Sequence, residues 1–585
     1  MESHRTRSRS ELLIWGLLFV LSLFIVRLFY LQVIQHDYYV SEANKVQVQP
    51  LSIQPTRGQL YVRDGNDLVP LVLNERVYTV FADPSDVKNP AETRTALMKI
   101  IGGELNGDID ALLKDNNGTI RYRVLARNVS QQQAELIQKQ QLAGIGLQQT
   151  NHRVYPEGNL AAQTLGYLDS EGNGQYGIEG ALNNRLKGKA GLLETVTDVR
   201  KIPLTIGTND VNTPAVNGDD IVLTLDRSVQ LQAEAVLKSG LDRAHATKGS
   251  MIVMDPNNGA VLAMANYPTY DPGQYNKVED YSVFQNGIVS APYENGSVIK
   301  ALTMGAGLDS GAVTSNSTFN DASGCTQVDD RRICNVEEDP KAAVATMLDT
   351  LRYSLNTGVV HIVKQMGGGS INRTARDTMY QYFHDRYRFG MLTGIEQAGE
   401  SPGIVIRPDE AEGNNVRYAN MAFGQGMDVT MIQTAAAFSA EINGGVYYQP
   451  RLVAGIRRDD GGMTAKEPVV VNDKVLSKEA SAAARELIWQ GRKTGFFGKY
   501  DREGYMIGGK TGTSQVIDRT TGEYSSENSI GSYLGFGGVD SPRYVIMVKV
   551  DDAKIGGYEG TTAAGPIFND MNSWMIDYLR LQPQG

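Results

Sequence analysis

Ser297 and Lys300 stand one helical turn apart in Tyr293-Glu-Asn-Gly-Ser-Val-Ile-Lys300, a spacing that joins a hydroxyl to an amine without any histidine. On a helix, residues three apart share a face, so the amine can reach the hydroxyl and take its proton. Serine is a poor nucleophile at its own pKa. A lysine activates it only where burial or a neighbouring cation keeps part of the amine neutral near pH 7. The spacing alone is unspecific: Ser85-Asp-Val-Lys88 shares it, in a polar stretch beside Pro84 and Pro90 that reads as a surface loop. Two further polar groups come after Ser297. Ser354-Leu-Asn356 lies inside the apolar-periodic segment Met347 to Met366, and Lys510-Thr-Gly-Thr513 lies inside Tyr505-Met-Ile-Gly-Gly-Lys-Thr-Gly-Thr-Ser-Gln-Val516.

In this order the three groups resemble the S-x-x-K, S-x-N and K-T-G signatures of penicillin-recognising serine enzymes. The resemblance gives each a role. Ser297 would attack a carbonyl, Lys300 would accept its proton, and Ser354 with Asn356 would relay a proton and hold the substrate amide. Lys510, with Thr511, would meet a terminal carboxylate, while Gly512 has no side chain to obstruct a substrate lying along the strand. The backbone N–H groups of Ser297 and Thr513 are the candidates for an oxyanion hole.

Each signature has decoys. Ser370-Ile-Asn372 comes directly after three glycines, and Ser526-Glu-Asn528 lies beyond the K-T-G. Lys493-Thr-Gly495 succeeds the helical-looking Ala480 to Gln490, so it reads as a helix end capped by Gly495. Gly504-Tyr-Met-Ile-Gly-Gly-Lys-Thr511 matches a nucleotide-binding loop, but Gly498 to Glu503 before it is too polar for a buried strand, and Ser514 to Ser529 after it has no helical period. Such a loop needs both.

The length of 585 residues accommodates two or more domains, and 41% hydrophobic content is that of a globular protein. A net charge of −10, with no basic tract beyond the N-terminus, argues against nucleic acid as a partner. Six scattered histidines and two cysteines offer no metal cluster, so the chemistry is expected to use side chains without metal or cofactor.

Arg5, Arg7 and Arg9 precede the apolar stretch Leu12 to Ile34, which is broken only by Ser22, Arg27 and Gln32. As a helix it would be about 35 Å long, enough to cross a bilayer. A cleavable signal would have a shorter apolar core ending at small residues, whereas this one runs into Arg27-Leu-Phe-Tyr-Leu-Gln32. Basic residues stay cytoplasmic. The expected layout is therefore a cytoplasmic tail over 1–11, a single membrane-spanning anchor over 12–34 and an extracytoplasmic body on the outer side of the inner or plasma membrane. Cys325 and Cys334, close together in a polar stretch, are then expected to form a local disulfide.

Within the body, residues 35–220 mix strand-like pieces with an amphipathic helix around Gln131 to Gln141 and read as a spacer or docking module. They end in the Thr, Asn, Asp, Gly and Pro-rich linker Thr205 to Asp220. From residue 221 to 585 the pattern becomes strand Ile221–Leu225, helix Ser228–Ala244, and strands Ser250–Met254 and Ala260–Asn266. After the K-T-G segment come strands Ser532–Phe536 and Tyr544–Val550 and a helix from about Pro566 to Leu579. The expected fold is α+β: a five-stranded antiparallel sheet flanked by helices, carried on an elongated mixed α/β pedestal.

At full length the chain resembles the class B penicillin-binding proteins, most of all the division type. The pedestal carries Pro55-Thr-Arg-Gly58, Arg63-Asp-Gly65, Arg153-Val-Tyr-Pro156 and Gly177-Ile-Glu-Gly180; the second half carries Ala265-Asn-Tyr-Pro268, Glu400, Phe423-Gly-Gln-Gly426, Thr430, Gln433 and Asn443-Gly-Gly445. Asn295 departs from the family pattern, which has proline before Gly-Ser. The resemblance implies a peptidoglycan D,D-transpeptidase that acylates Ser297 with a stem peptide, releases D-alanine, and passes the acyl group to a neighbouring stem. It also implies inhibition by β-lactams and partnership with a SEDS-type glycosyltransferase and other divisome membrane proteins. Rival readings are a D,D-carboxypeptidase or β-lactamase-like hydrolase, in which water takes the acyl group, and a non-catalytic cell-wall scaffold.

Overall fold

The structure, a computed structural model, describes residues 9–39, 48–65, 67–114, 121–196, 211–336, 342–458, 460–517, 524–555 and 559–584. Arg5, Arg7 and the 205–210 part of the expected linker lie outside these residues. The chain divides into two compact units, Met1–Arg57 with Lys187–Gly218, and Gly58–Leu186 with Asp219–Gly585.

The first unit begins with helix Arg9–Phe29, which continues as a π-helical turn over Tyr30–Ile34. Leu12, Phe19, Phe24 and Ile34 are all exposed, so among the described residues nothing covers this apolar surface. Together Arg9–Ile34 make one helix long and apolar enough to cross a membrane. Ser22 is accommodated within it because its hydroxyl donates to Phe19 O at 2.7 Å. The unit also holds a three-stranded antiparallel sheet of Val48–Ile53, Gly191–Val196 and Val211–Thr213.

The second unit is built on a five-stranded antiparallel sheet, whose strands we label in chain order: β1 (Lys248–Met254), β2 (Val261–Tyr267), β3 (Met506–Ile517), β4 (Tyr524–Gly538) and β5 (Pro542–Asp551). Their order is β2-β1-β5-β4-β3, which leaves the Lys510 strand β3 at an edge. All but the first residue of β1 are buried, so this central strand is apolar on both faces rather than alternating. Helices Arg227–Ala244 and Gly565–Tyr578 share one core cluster with the sheet. The first starts where Asp226 accepts from Val229 N at 3.0 Å. In the larger cluster, helix Met431–Ile442 is buried at every residue, its polar Gln433, Thr434, Ser439 and Glu441 included. Its polar start is satisfied by a reciprocal cap: Thr430 N donates to Gln433 Oε1 at 2.8 Å, and Gln433 N donates to Thr430 Oγ1.

Two details differ from the sequence expectation. Ile221–Asp226 is not a strand of the five-stranded sheet. It pairs parallel with Leu60–Asp64 and antiparallel with Val453–Arg457 in a separate mixed sheet, so the strand after the expected linker pairs with part of the expected pedestal. A sequence shows that a strand is buried but not which neighbour buries it. The segment Met347 to Met366 is two helices, Met347–Arg352 and Asn356–Met366, separated at Ser354, which takes φ +60°.

The motif residues of the first half serve packing. Arg153 Nε donates to Glu179 Oε1 at 2.7 Å, and Arg153 Nη1 donates to Gly58 O and Asn74 Oδ1, each at 2.8 Å. Both charged groups are buried, so three distant motifs meet in one ion pair that removal of either partner would leave uncompensated.

Candidate active site

Ser297 sits in a 3₁₀ turn, Gly296–Val298, that runs into helix Ile299–Asp309. The turn is clamped from three sides. Asn295, buried, donates from Nδ2 to Tyr293 O and Val429 O, each at 2.9 Å, and accepts from Thr434 Oγ1 at 2.7 Å. The residue that departs from the family pattern is thus the anchor of the Ser297 turn. Gly296 takes φ +64° and donates to Gly424 O at 3.1 Å, while Gly426 N donates to Glu294 Oε1 at 2.7 Å. A side chain at Gly424 would collide with Gly296 O, and Gly426 takes φ +77°, which accounts for the two glycines of Phe423-Gly-Gln-Gly426.

The third side is β3. A Cβ on Gly512 would stand 2.8 Å from Asn295 O and 3.0 Å from Val298 Cγ1. Gly512 is therefore required by the close approach of the nucleophile turn, a reason the sequence reading, which looked to the substrate, did not supply. Lys510 is almost fully buried and donates from Nζ to Thr511 O at 3.0 Å. Thr513 Oγ1 accepts from Gly560 N at 3.3 Å.

Lys300, 1% exposed, points from its helix to the break between helices, where Nζ donates to Ser354 Oγ at 3.1 Å and to Ser354 O. The positive φ of Ser354 presents hydroxyl and carbonyl together to the ammonium, and a non-glycine residue held there is of the strained kind that collects at functional sites. Asn356 Nδ2 donates to Cys334 O at 2.9 Å. Cys334 ends a hairpin, Cys325–Val328 with Arg331–Cys334, whose first and last residues are joined by a disulfide.

These residues meet in a cleft of about 700 Å³, lined by Ser297, Lys300, Ser354 and Asn356 together with Lys510, Thr511 and Thr513. The decoys have structural roles. Ser85 is an exposed turn residue whose hydroxyl donates to Asp83 at 2.6 Å, and Asn372 caps helix Arg373–Tyr380. Ser526 and Asn528 lie on β4 where only the backbone is described. Gly504–Thr511 leads into a strand that continues to Ile517 instead of a helix, so no phosphate cradle forms. Lys493 does end a helix, Lys478–Lys493, capped by Thr494. Thr494 and Gly495 nevertheless line the cleft, which helix-end punctuation could not reveal. The sequence reading also missed Arg492 beside them. Arg492 Nη2 donates to Asp501 Oδ1 at 2.6 Å and to Asn569 Oδ1 at 2.7 Å, and Nη1 donates to Tyr533 Oη. Burial pushes the Asp501 carboxyl up, and Arg492 opposes that shift. Nothing in the local pattern of Gln490-Gly-Arg492 marks a buried cation.

Chemically, the arrangement offers a hydroxyl at the start of a helix, a buried amine sharing its proton with a second hydroxyl, and a cation on an open sheet edge. The family described as the penicillin-binding protein transpeptidase domain matches residues 249–573, and that of the penicillin-binding protein dimerisation domain matches residues 52–223. The chain is 30% identical over 580 residues to stage V sporulation protein D of Bacillus subtilis, covering 98% of this chain and 86% of that protein. It is 27% identical to the probable peptidoglycan D,D-transpeptidase PbpC of Pseudomonas aeruginosa, covering 100% of this chain and 97% of that protein. Its fold matches that of penicillin-binding protein 3 of Mycobacterium tuberculosis solved with aztreonam, at a TM-score of 0.66 and 22% identity over 92% of this chain and 98% of that one.

Proposed function

This chain belongs to the class B penicillin-binding proteins, the peptidoglycan D,D-transpeptidases, and we propose that Ser297 is the residue it acylates. The observation that carries this is the meeting, in one cleft, of Ser297 with the Lys300–Ser354 hydrogen bond and Lys510. In the proposed reaction Lys300 takes the Ser297 proton as Oγ bonds to the carbonyl between two terminal D-alanines. The proton then passes, with Ser354 as relay, to the departing amine of D-alanine. Lys510 and Thr511 hold the terminal carboxylate, Asn356 the substrate amide, and the N–H groups of Ser297 and Thr513 the oxyanion. The amine of a second stem then attacks the ester, forms the cross-link and releases Ser297. β-Lactams enter as substrate mimics whose acyl group stays on Ser297; the related fold solved with aztreonam supports this reading.

We read residues 12–34 as a single-pass anchor with the N-terminus cytoplasmic, 35–220 as the pedestal with its linker, and 221–585 as the transpeptidase domain outside the membrane. The uncovered apolar helix supports the anchor, and the dimerisation-domain match over 52–223 supports a docking role for the pedestal. Partners of the division type, a SEDS-type glycosyltransferase and other divisome membrane proteins, would supply the glycan strands.

A labelled penicillin and subsequent peptide mapping test the assignment. The adduct should lie on Ser297, and Ser297→Ala should abolish it. An adduct elsewhere, or undiminished labelling of the alanine variant, overturns the reading.

A further inference from the structure

The cleft is cationic in an acidic protein. Its described lining includes Lys300, Arg352, Arg492 and Lys510 and no aspartate or glutamate, although the chain carries a net charge of −10. Lys300 is turned toward Ser354, Lys510 toward Thr511, and Arg492 is neutralised by Asp501 at 2.6 Å. Arg352 differs. It is exposed, and among the described residues its guanidinium has no carboxylate or hydrogen-bond partner. Its Cζ stands over the Tyr353 ring, 4.9 Å from the centroid. Its stem runs beside Gly495, where a Cβ would lie 3.8 Å from Arg352 Cγ.

This placement is specific. Arg352 is two residues before Ser354, at the end of helix Met347–Arg352, and it packs against the loop after Lys493 that forms the cleft's far rim. An arginine stacked on an aromatic face keeps its in-plane N–H donors turned outward, and that fork matches a carboxylate. A cation in the last turn also stabilises the helix C-terminus. Helix stabilisation explains a positive charge, but not its location on the wall of a cleft already supplied with a lysine for one carboxylate.

We propose that Arg352 is a specificity residue that binds a second carboxylate of the stem peptide, apart from the terminal one assigned to Lys510. The proposal rests on the acyl-transfer reading above. That carboxylate belongs either to the donor stem, bound during acylation, or to the acceptor stem, bound during aminolysis; the recognition chemistry is the same.

The test uses the full-length protein in detergent and synthetic stem peptides whose third residue is a diamino acid with its side-chain carboxylate either free or converted to carboxamide. In the donor arm the peptides end in D-Ala-D-Ala and the acylation rate is read. In the acceptor arm they lack the D-alanines, and the share of acyl-enzyme leaving by aminolysis rather than hydrolysis is read. Benzylpenicillin labelling of Ser297 normalises each preparation. Wild type should prefer the free carboxylate about tenfold in one of the arms, the size of one charge-assisted hydrogen bond, and Arg352→Gln should remove the preference. The arm that responds identifies the source. Should Arg352→Gln fail to label, Arg352→Lys carries the test: it keeps a cation at the helix end but loses the fork, and the preference should fall at least about threefold. A wild type with no preference in either arm, or a preference intact in the variants, overturns the proposal. If wild-type Ser297 took no benzylpenicillin, it is the acyl-enzyme reading that would fall instead.

Discussion

Lys300 Nζ lies 3.1 Å from Ser354 Oγ although 54 positions separate the two residues, and the contact forms because the chain breaks its helix at Ser354 with a positive φ. The amine is thereby fixed on Ser354 in the cleft that Ser297 also lines. Lys300→Arg retains a cation but cannot accept a proton from Ser297. Acylation by a labelled penicillin should fall by about 100-fold or more, the range of general-base catalysis, while the circular dichroism of the variant stays native. An acylation rate close to wild type would transfer the role of base to a relay centred on Ser354.

The two K-T-G triplets make opposite predictions. Lys510 is buried on β3 and lines the cleft. Lys510→Ala should slow acylation by the equivalent of about 1.5–3 kcal/mol, one charge-assisted hydrogen bond. Lys493 ends its helix with Nζ 4.9 Å from the Trp489 ring centroid. Lys493→Ala should stay within a few-fold of wild type in the same assay, and the reverse ranking would show that the wrong triplet had been chosen.

Asn295→Ala would strip three hydrogen bonds from a buried position, leaving Tyr293 O and Val429 O only the backbone bonds they exchange with Val429 N and Tyr293 N, and Thr434 Oγ1 only its bond to Thr430 O. The cost should be about 2 kcal/mol, since each intramolecular hydrogen bond lost costs roughly 0.5–1.5 kcal/mol. Thermal unfolding should move down by several degrees, and acylation should slow as the Ser297 turn loosens. Unchanged melting would mean that Gly424 and Gly426 hold the turn unaided.

Glu441 gives the stability a pH dependence. It is fully buried in helix Met431–Ile442 against Gly305 of the nucleophile helix, and burial pushes its pKa up to about 8. Tyr387 Oη donates to Glu441 Oε2 at 2.8 Å and lies 3.1 Å from Leu302 O, and burial outweighs the bond it offers the carboxylate. The folded state thus holds a proton that the unfolded chain releases at ordinary carboxylate pH. The contribution of this group is full below about pH 4.5 and declines until pH reaches about 8. Glu441→Gln, whose amide oxygen can accept from Tyr387 Oη and carries no titratable group, should flatten that decline in a pH series of melting curves and be more stable than wild type at pH 9. An identical slope in the two proteins would show that Glu441 is not the titrating group.

The three motifs that line the cleft were legible in the sequence because each is local: a helical spacing, a short polar interruption of an apolar segment, a glycine-containing strand. The same holds for the apolar N-terminal helix and for four strands of the five-stranded sheet, where apolar runs bounded by turn residues leave little choice of element. The partners of those elements were not legible. Ile221–Asp226 was recognised as a strand, yet its neighbours lie some 160 and 230 positions away, and pairing at such distance depends on which surfaces remain unburied once everything else has packed.

The sequence by itself determined which side chains could act and in what order they occur, because nucleophile, amine and cation are properties of residue type and short spacing. Only the tertiary structure decided what holds them. Asn295 reads in sequence as a departure from pattern and proves to be the anchor of the Ser297 turn. Gly512 reads as room for substrate and proves to be room for Asn295 and Val298. Arg352 and Arg492 carried no local signal, since whether a cation is neutralised by an acid or left facing a cleft depends on groups brought up from elsewhere in the chain. Asp501 reaches Arg492 and no described carboxylate reaches Arg352, and charge compensation of that kind is settled only when the chain has folded.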